Sequence, residues 1–186
     1  PQKDKCTVTY HWVSTENPDS AVLPAPAIVT EDTLYPVATV DPVKDWTFSG
    51  WYDNEACTGD PVTEVTCSSA DQTIDLYGKW THKECYVTFL ADYADYMMPE
   101  RGSLNVGGQT VSEYKVPVPY GSTLQKEGKS LPTPVSGSEN QWFFKGWDLE
   151  EDGSEKIFYT DLEVLNMPVR SNLTFVAQWW PVVTFE

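Results

Sequence analysis

The side chains with most chemistry to offer are four cysteines, two histidines and a large excess of carboxylates. A Ser–His–Asp arrangement would have to use His11, on the polar face of a strand pattern, or His82, in a short linking segment. No G-x-S-x-G, Walker loop or H-E-x-x-H is present. A carboxylate pair of the glycosidase kind would need a cleft that units of about 80–100 residues rarely offer. No position can be singled out for a Lys–Asn or Lys–Asp isopeptide cross-link. Zinc is disfavoured, because C-x-x-C is absent and His11 and His82 lie far apart. The stretch Asp148-Leu-Glu150-Glu-Asp152-Gly153 superficially resembles a calcium loop. Its twelfth position is Tyr159 rather than a bidentate Glu, and no helical pattern flanks it, so a solvated acidic turn is the better reading. The expectation is therefore no catalytic residue, no metal and no cofactor.

The cysteines point to structure instead. An even number of them suits a protein of an oxidising compartment, and four allow three connectivities. Cys57 and Cys67 are separated by nine residues, so closing that loop costs little entropy and this pair is preferred. Cys6 and Cys85 would then pair with each other or stay buried as thiols.

The elements that must carry these residues show themselves as a repeat. Trp46-Thr-Phe48-Ser-Gly50-Trp51 matches Trp142-Phe-Phe144-Lys-Gly146-Trp147, 96 residues on. Ile74-Asp-Leu76-Tyr-Gly78-Lys-Trp80 matches Leu173-Thr-Phe175-Val-Ala177-Gln-Trp179 at a spacing of 99, and Cys6-Thr-Val8-Thr-Tyr10 matches Cys85-Tyr-Val87-Thr-Phe89 at 79. The unequal spacings place extra residues in the second copy, between its first strand and its W-x-F-x-G-W strand. Residues 1–81 form the first module and 82–180 the second. Residues 181–186 read as the start of a third, through Val182-Val-Thr184-Phe185, in an excised piece of a longer array.

Apolar and polar residues alternate along Ile74–Trp80 and Leu173–Trp179, the period of a half-buried strand. Gly50 and Gly146 fall inside strand patterns, where a missing side chain lets an aromatic lie on the backbone. One short helix is expected over Ser122–Glu127, capped by Ser122 and ended by Gly128, while Leu34–Val43 holds Pro36 and Pro42 and allows only a turn. The fold class is thus mainly β: two tandem small modules, the second with one short helix.

The order of motifs resembles the Listeria–Bacteroides repeat, the B-repeat of internalins. Val87-Thr-Phe89, Tyr120-Gly121, Pro132-Thr-Pro134, Phe144-Lys-Gly146-Trp147 and Ala177-Gln-Trp179 follow one another as in that family. The first copy has Val8-Thr-Tyr10, Phe48-Ser-Gly50-Trp51-Tyr52 and Leu76-Tyr-Gly78-Lys-Trp80 but lacks the Y-G and P-x-P landmarks. The W-x-F-x-G-W form is also similar to streptococcal tandem-repeat stalk domains. The resemblance implies β-grasp-like modules strung along extracellular, wall-attached adhesins, mainly of Gram-positive host-associated bacteria. It brings no catalytic residue.

The formal net charge of −16 is shared, with four Lys against thirteen acids over residues 1–82 and eight basic residues against fifteen over 83–186. Such a surface repels phosphate backbones and anionic lipid, so neither nucleic acid nor membrane is an expected partner. Trp46, Phe48, Gly50, Trp51 and Trp80, with Trp142, Phe144, Gly146, Trp147 and Trp179, occur in both copies and read as scaffold. Trp12 and Trp180 have no counterpart and could stack on a sugar ring. The insertion carries Tyr93, Tyr96, Met97, Met98 and Arg101, residue types that concentrate at protein interfaces, and is the best binding-loop candidate. The expected role is a spacer or stalk whose partners are neighbouring modules. The rivals are a module that binds a host immunoglobulin, complement or matrix protein through that loop, and a carbohydrate binder.

Overall fold

A computed structural model describes residues 3–92, 101–137, 141–150 and 158–183. The chain divides into two units, Pro1–Lys83 and Glu84–Glu186. Unit 1 contains β1 (Lys5–Trp12), β2 (Ala27–Thr30), β3 (Tyr35–Pro36), β4 (Trp46–Phe48), β5 (Glu64–Val65), β6 (Thr73–Gly78) and β7 (Trp80–His82). Unit 2 contains β8 (Cys85–Leu90), β9 (Gly102–Val106), β10 (Gln109–Val111), β11 (Glu113–Val118), β12 (Thr133–Ser136), β13 (Trp142–Leu149), α1 (Asp161–Asn166) and β14 (Leu173–Pro181). The architecture is mainly β.

Each unit is organised on a parallel pair formed by its first and last long strands. In unit 1, β1 pairs with β6 through Val8↔Ile74, Tyr10↔Leu76 and Trp12↔Gly78. In unit 2, β8 pairs with β14 through Val87↔Leu173 and Phe89↔Phe175. The spacings of 79 and 99 seen in the sequence convert one ladder into the other rung for rung. Antiparallel strands flank the pair in the same order, β2 and β4 around β1–β6–β7, β11 and β13 around β8–β14. In unit 1 the last strand breaks at Lys79, so β7 pairs with β4 as a separate ribbon, whereas β14 runs unbroken through four strands of sheet. In both units the first and last long strands thus lie parallel and adjacent.

The alternation read in the sequence puts one face of each ladder into a core. Val8, Tyr10, Val29, Trp51 and Leu76 are buried in unit 1, and Val87, Phe89, Val116, Trp147, Phe175 and Ala177 in unit 2. Removing such surfaces from water contributes about 25 cal/mol per Å². With the residues between strands poor in apolar periodicity, these strand faces are where the burial is concentrated.

Directly after Arg101 unit 2 builds a second small sheet from β9, β10 and β12. Its β9–β10 hairpin turns on Gly107 and Gly108, both at positive φ (58° and 86°), and β12 joins the other edge of β9. This second small sheet is anchored by Leu104, which is wholly buried.

The expected helix over Ser122–Glu127 does not form. The backbone there is drawn across to the segment that follows β13: Gln125 N donates to Leu165 O (2.9 Å), and Val169 N donates to Ser122 O (2.8 Å). The unit's one described helix is α1, started by a capping box in which Thr160 and Glu163 satisfy each other's backbone N–H groups. Thr160-Asp-Leu-Glu163 is visible in the sequence as that signature.

Candidate functional site

The repeated aromatic residues gather where the closing strand meets the W-x-F-x-G-W strand. In unit 1 Trp46 pairs with His82 and Phe48 with Trp80; in unit 2 Trp142 pairs with Pro181 and Phe144 with Trp179. Trp51 and Trp147 each turn into their cores, 2% and 0% exposed. Each has its indole N–H satisfied at 2.8 Å, Trp51 by Ala38 O and Trp147 by Asp161 Oδ1 at the start of α1. Phe48 and Phe144 stand edge-on to them, with ring centroids 5.0 and 5.1 Å apart. Such pairs contribute about 0.5–1.5 kcal/mol each beyond their buried area.

The two glycines of the motif do different work. At Gly146 a Cβ would lie 2.6 Å from the Phe158 ring, so this glycine admits an aromatic onto the backbone. Gly50 has no such neighbour; it adopts φ +90°, in a turn that side-chain-bearing residues rarely take.

Trp12 is half-buried and stacks on Trp51 at 5.2 Å and 12°, with Phe48 and Trp80 edge-on to it. It packs as an extension of the core. Trp180 is 43% exposed and lies opposite Phe143, itself 41% exposed, with the Lys145 ammonium 5.0 Å from the Trp180 ring. The equivalent positions of unit 1 are Thr81 and Thr47.

Tyr93, Tyr96, Met97 and Met98 lie outside the described residues, as do residues 151–153 of the acidic stretch Asp148–Gly153. Arg101, at the insertion's end, reaches Asp92 (3.5 Å) and lies over the Trp142 ring at 5.1 Å, so its guanidinium is engaged inside unit 2. Among the described residues, no group of three or more His, Cys, Asp and Glu is placed to hold a metal ion. His11 Nε2 and Asp75 Oδ1 are 2.7 Å apart on an open sheet face, with Tyr77 stacked on the imidazole.

The disulfide differs from both expected pairings. Cys6 bonds Cys67, with Cα atoms 5.5 Å apart, and neither Cys57–Cys67 nor Cys6–Cys85 forms. Parallel pairing explains it. The chain must return to the starting end of β1 before entering β6, as Asp71 N donating to Lys5 O and Thr7 N to Gln72 O show (both 2.9 Å). Cys67, just ahead of that return, therefore lands beside Cys6. Cys57 sits in the 54–58 turn with its thiol donating to Tyr77 O at 3.6 Å. Tyr77 pairs with His11, about 16 Å along the strand from Cys6. Cys85 occupies in β8 the position of Cys6 in β1, and no cysteine follows it in the sequence.

Comparison with known proteins adds a likeness among solved structures. No family model matches the chain, so the likeness to the Listeria–Bacteroides repeat is a resemblance of motif order and no more. No curated protein matches either. Among solved structures the chain is similar to domains 3–4 of the Streptococcal High Identity Repeats in Tandem (SHIRT) of a cell surface protein. The identity is 16%, the match covers 96% of this chain and 99% of that one, and the TM-score is 0.30.

Proposed function

We propose that the chain is a pair of extracellular tandem modules from a bacterial cell-surface protein, acting as a spacer in a stalk. The observation that carries this reading is the repetition of one strand order and one parallel register in two units. Only Lys83 and Glu84 separate β7 from β8, and Lys83 N still donates to Asp45 O of unit 1. A joint that short leaves little free chain, so added units add length. The Cys6–Cys67 bond suits an oxidising compartment, and the acidic surface suits solubility there. The reading needs no catalytic step.

The test is the maximum dimension, by small-angle scattering, of concatemers holding one, two and three copies of the chain. A spacer predicts growth in proportion to copy number. Growth close to the square root of copy number would mean freely flexing units and would remove the reading. Capture of an immunoglobulin, complement or matrix protein that is lost when Tyr96, Met97 and Met98 become Ser would replace it with the binding-module alternative.

A further inference from the structure

The parallel ladder at the centre of each unit has a mechanical consequence. β1 and β6 run in the same direction, so the chain enters unit 1 at one end of the ladder and leaves at the other. The same holds for β8 and β14 in unit 2. Tension along the chain therefore slides the two strands past each other. The evenly spaced bonds of a parallel pair then share the load, where a hairpin opened at its end would lose them one by one. In unit 2 the load passes straight through the rungs Val87–Leu90 and Leu173–Val176.

Unit 1 has a second path. The Cys6–Cys67 bond lies at the entry end of β1 and encloses a sequence separation of 61 residues. Load arriving at Lys5 crosses from Cys6 to Cys67 and continues into β6 and β7, leaving Thr7–Thr66 outside the path. Both sulfur-bearing residues are buried, Cys6 2% and Cys67 5% exposed, so the bond is shielded while the unit is folded.

We propose that the two units respond unequally to tension: unit 2 is a shear clamp that yields and releases its full length, and unit 1 is covalently bypassed and nearly inextensible. This deepens the spacer reading and rests on it for its biological setting, but not for its physics. The locked segment corresponds to about 200 Å of extended chain, and unit 2 from Cys85 to Pro181 to about 340 Å.

The experiment is single-molecule stretching of the full chain held by its two ends. The oxidised chain should give one long step, from unit 2. Reducing the chain, or the Cys67→Ala variant, should add a second step about 200 Å longer than anything unit 1 releases when oxidised. Cys57→Ala should leave the oxidised trace unchanged, which keeps the test open if Cys67→Ala does not fold. Two long steps in the oxidised chain, or a gain of only about 35 Å on reduction, as a Cys57–Cys67 bond would give, overturns the proposal. Pulling unit 2 instead through Cys85 and Val118, the end rung of the antiparallel β8–β11 pair, should open that pair at lower force than the parallel ladder withstands; equal force would contradict the shear clamp. Traces as expected beside concatemers that do not lengthen in proportion would keep the clamp and remove the spacer, and the opposite pair of results would do the reverse.

Discussion

Trp80 and Trp179 occupy the same place in the two units, and their surroundings show how one scaffold tolerates two solutions. Trp179 lies flat against Gly102 of the inserted sheet, where a Cβ would come within 2.3 Å of the indole, and its N–H donates to Ala91 O at 2.6 Å. Unit 1 has no inserted sheet and carries Trp12 where unit 2 has Ala91. There the space is filled with rings, Trp12 and Phe48 lying 6.0 and 5.2 Å from Trp80. The Trp80 N–H is buried without a hydrogen-bond partner among the described residues. Leaving such a donor unpaired costs about 1–3 kcal/mol. Unit 1 offsets weaker polar satisfaction with aromatic contacts and a disulfide, whereas unit 2 relies on added secondary structure.

The largest expected effect tests whether the two cores are separate. Trp147→Ala should destabilise unit 2 by about 3–5 kcal/mol and leave the unfolding transition of unit 1 in place. Trp51→Ala should do the reverse. A single transition shifted equally by both, followed by fluorescence and by amide exchange, would join the units into one cooperative body. Next in size, Cys67→Ala should cost unit 1 about 2–4 kcal/mol with no change in unit 2, read by denaturant midpoints.

The difference between the two closing tryptophans should appear directly. Trp179→Phe should cost about 1–3 kcal/mol more than Trp80→Phe, because only the former orphans a buried carbonyl, that of Ala91. Equal costs would mean that the Trp80 N–H is as well satisfied as its counterpart.

The smallest effect is in the alkaline range. Burial pushes the Tyr10 phenol above its ordinary pKa of 10.0, outweighing the Ala38 N–H that favours ionisation, with Tyr35 adding to the rise. A group whose folded pKa is raised keeps its contribution below the unfolded pKa and loses it as pH climbs. Unit 1 should therefore weaken above about pH 10, and Tyr10→Phe, the residue that unit 2 carries at Phe89, should reduce that loss, leaving the share of Tyr77, whose phenol is also raised by partial desolvation and by Asp75 and Glu55. Amide-resolved denaturation from pH 9 to 11 would show it.

Much of the fold was legible because repeats expose register. Once Val8 was matched to Val87 and Leu76 to Phe175, the copies had to share a ladder, and alternation named its buried face. The disulfide was missed because loop entropy was weighed without topology. Had β1 and β6 been taken as parallel, the segment before β6 would have been placed beside Cys6. The helix was misplaced since Ser122 and Gly128 looked like good ends, although the stronger signature was Thr160 with Glu163. The inserted hairpin was also announced, by Gly107-Gly108 between Val106 and Gln109, a two-residue turn that needs positive φ twice. The packing of Trp12 against Trp51, Phe48 and Trp80 is not legible locally, because nothing beside it in the sequence shows which rings of unit 1 it will meet.

The central claim is that one parallel ladder is built twice in the same register. Backbone NOEs across the first and last strands test it most directly. The account predicts contacts joining the pairs Val8–Ile74 and Tyr10–Leu76 in unit 1, and Val87–Leu173 and Phe89–Phe175 in unit 2, all in the parallel pattern. A one-residue shift in either unit, or an antiparallel pattern, would contradict it.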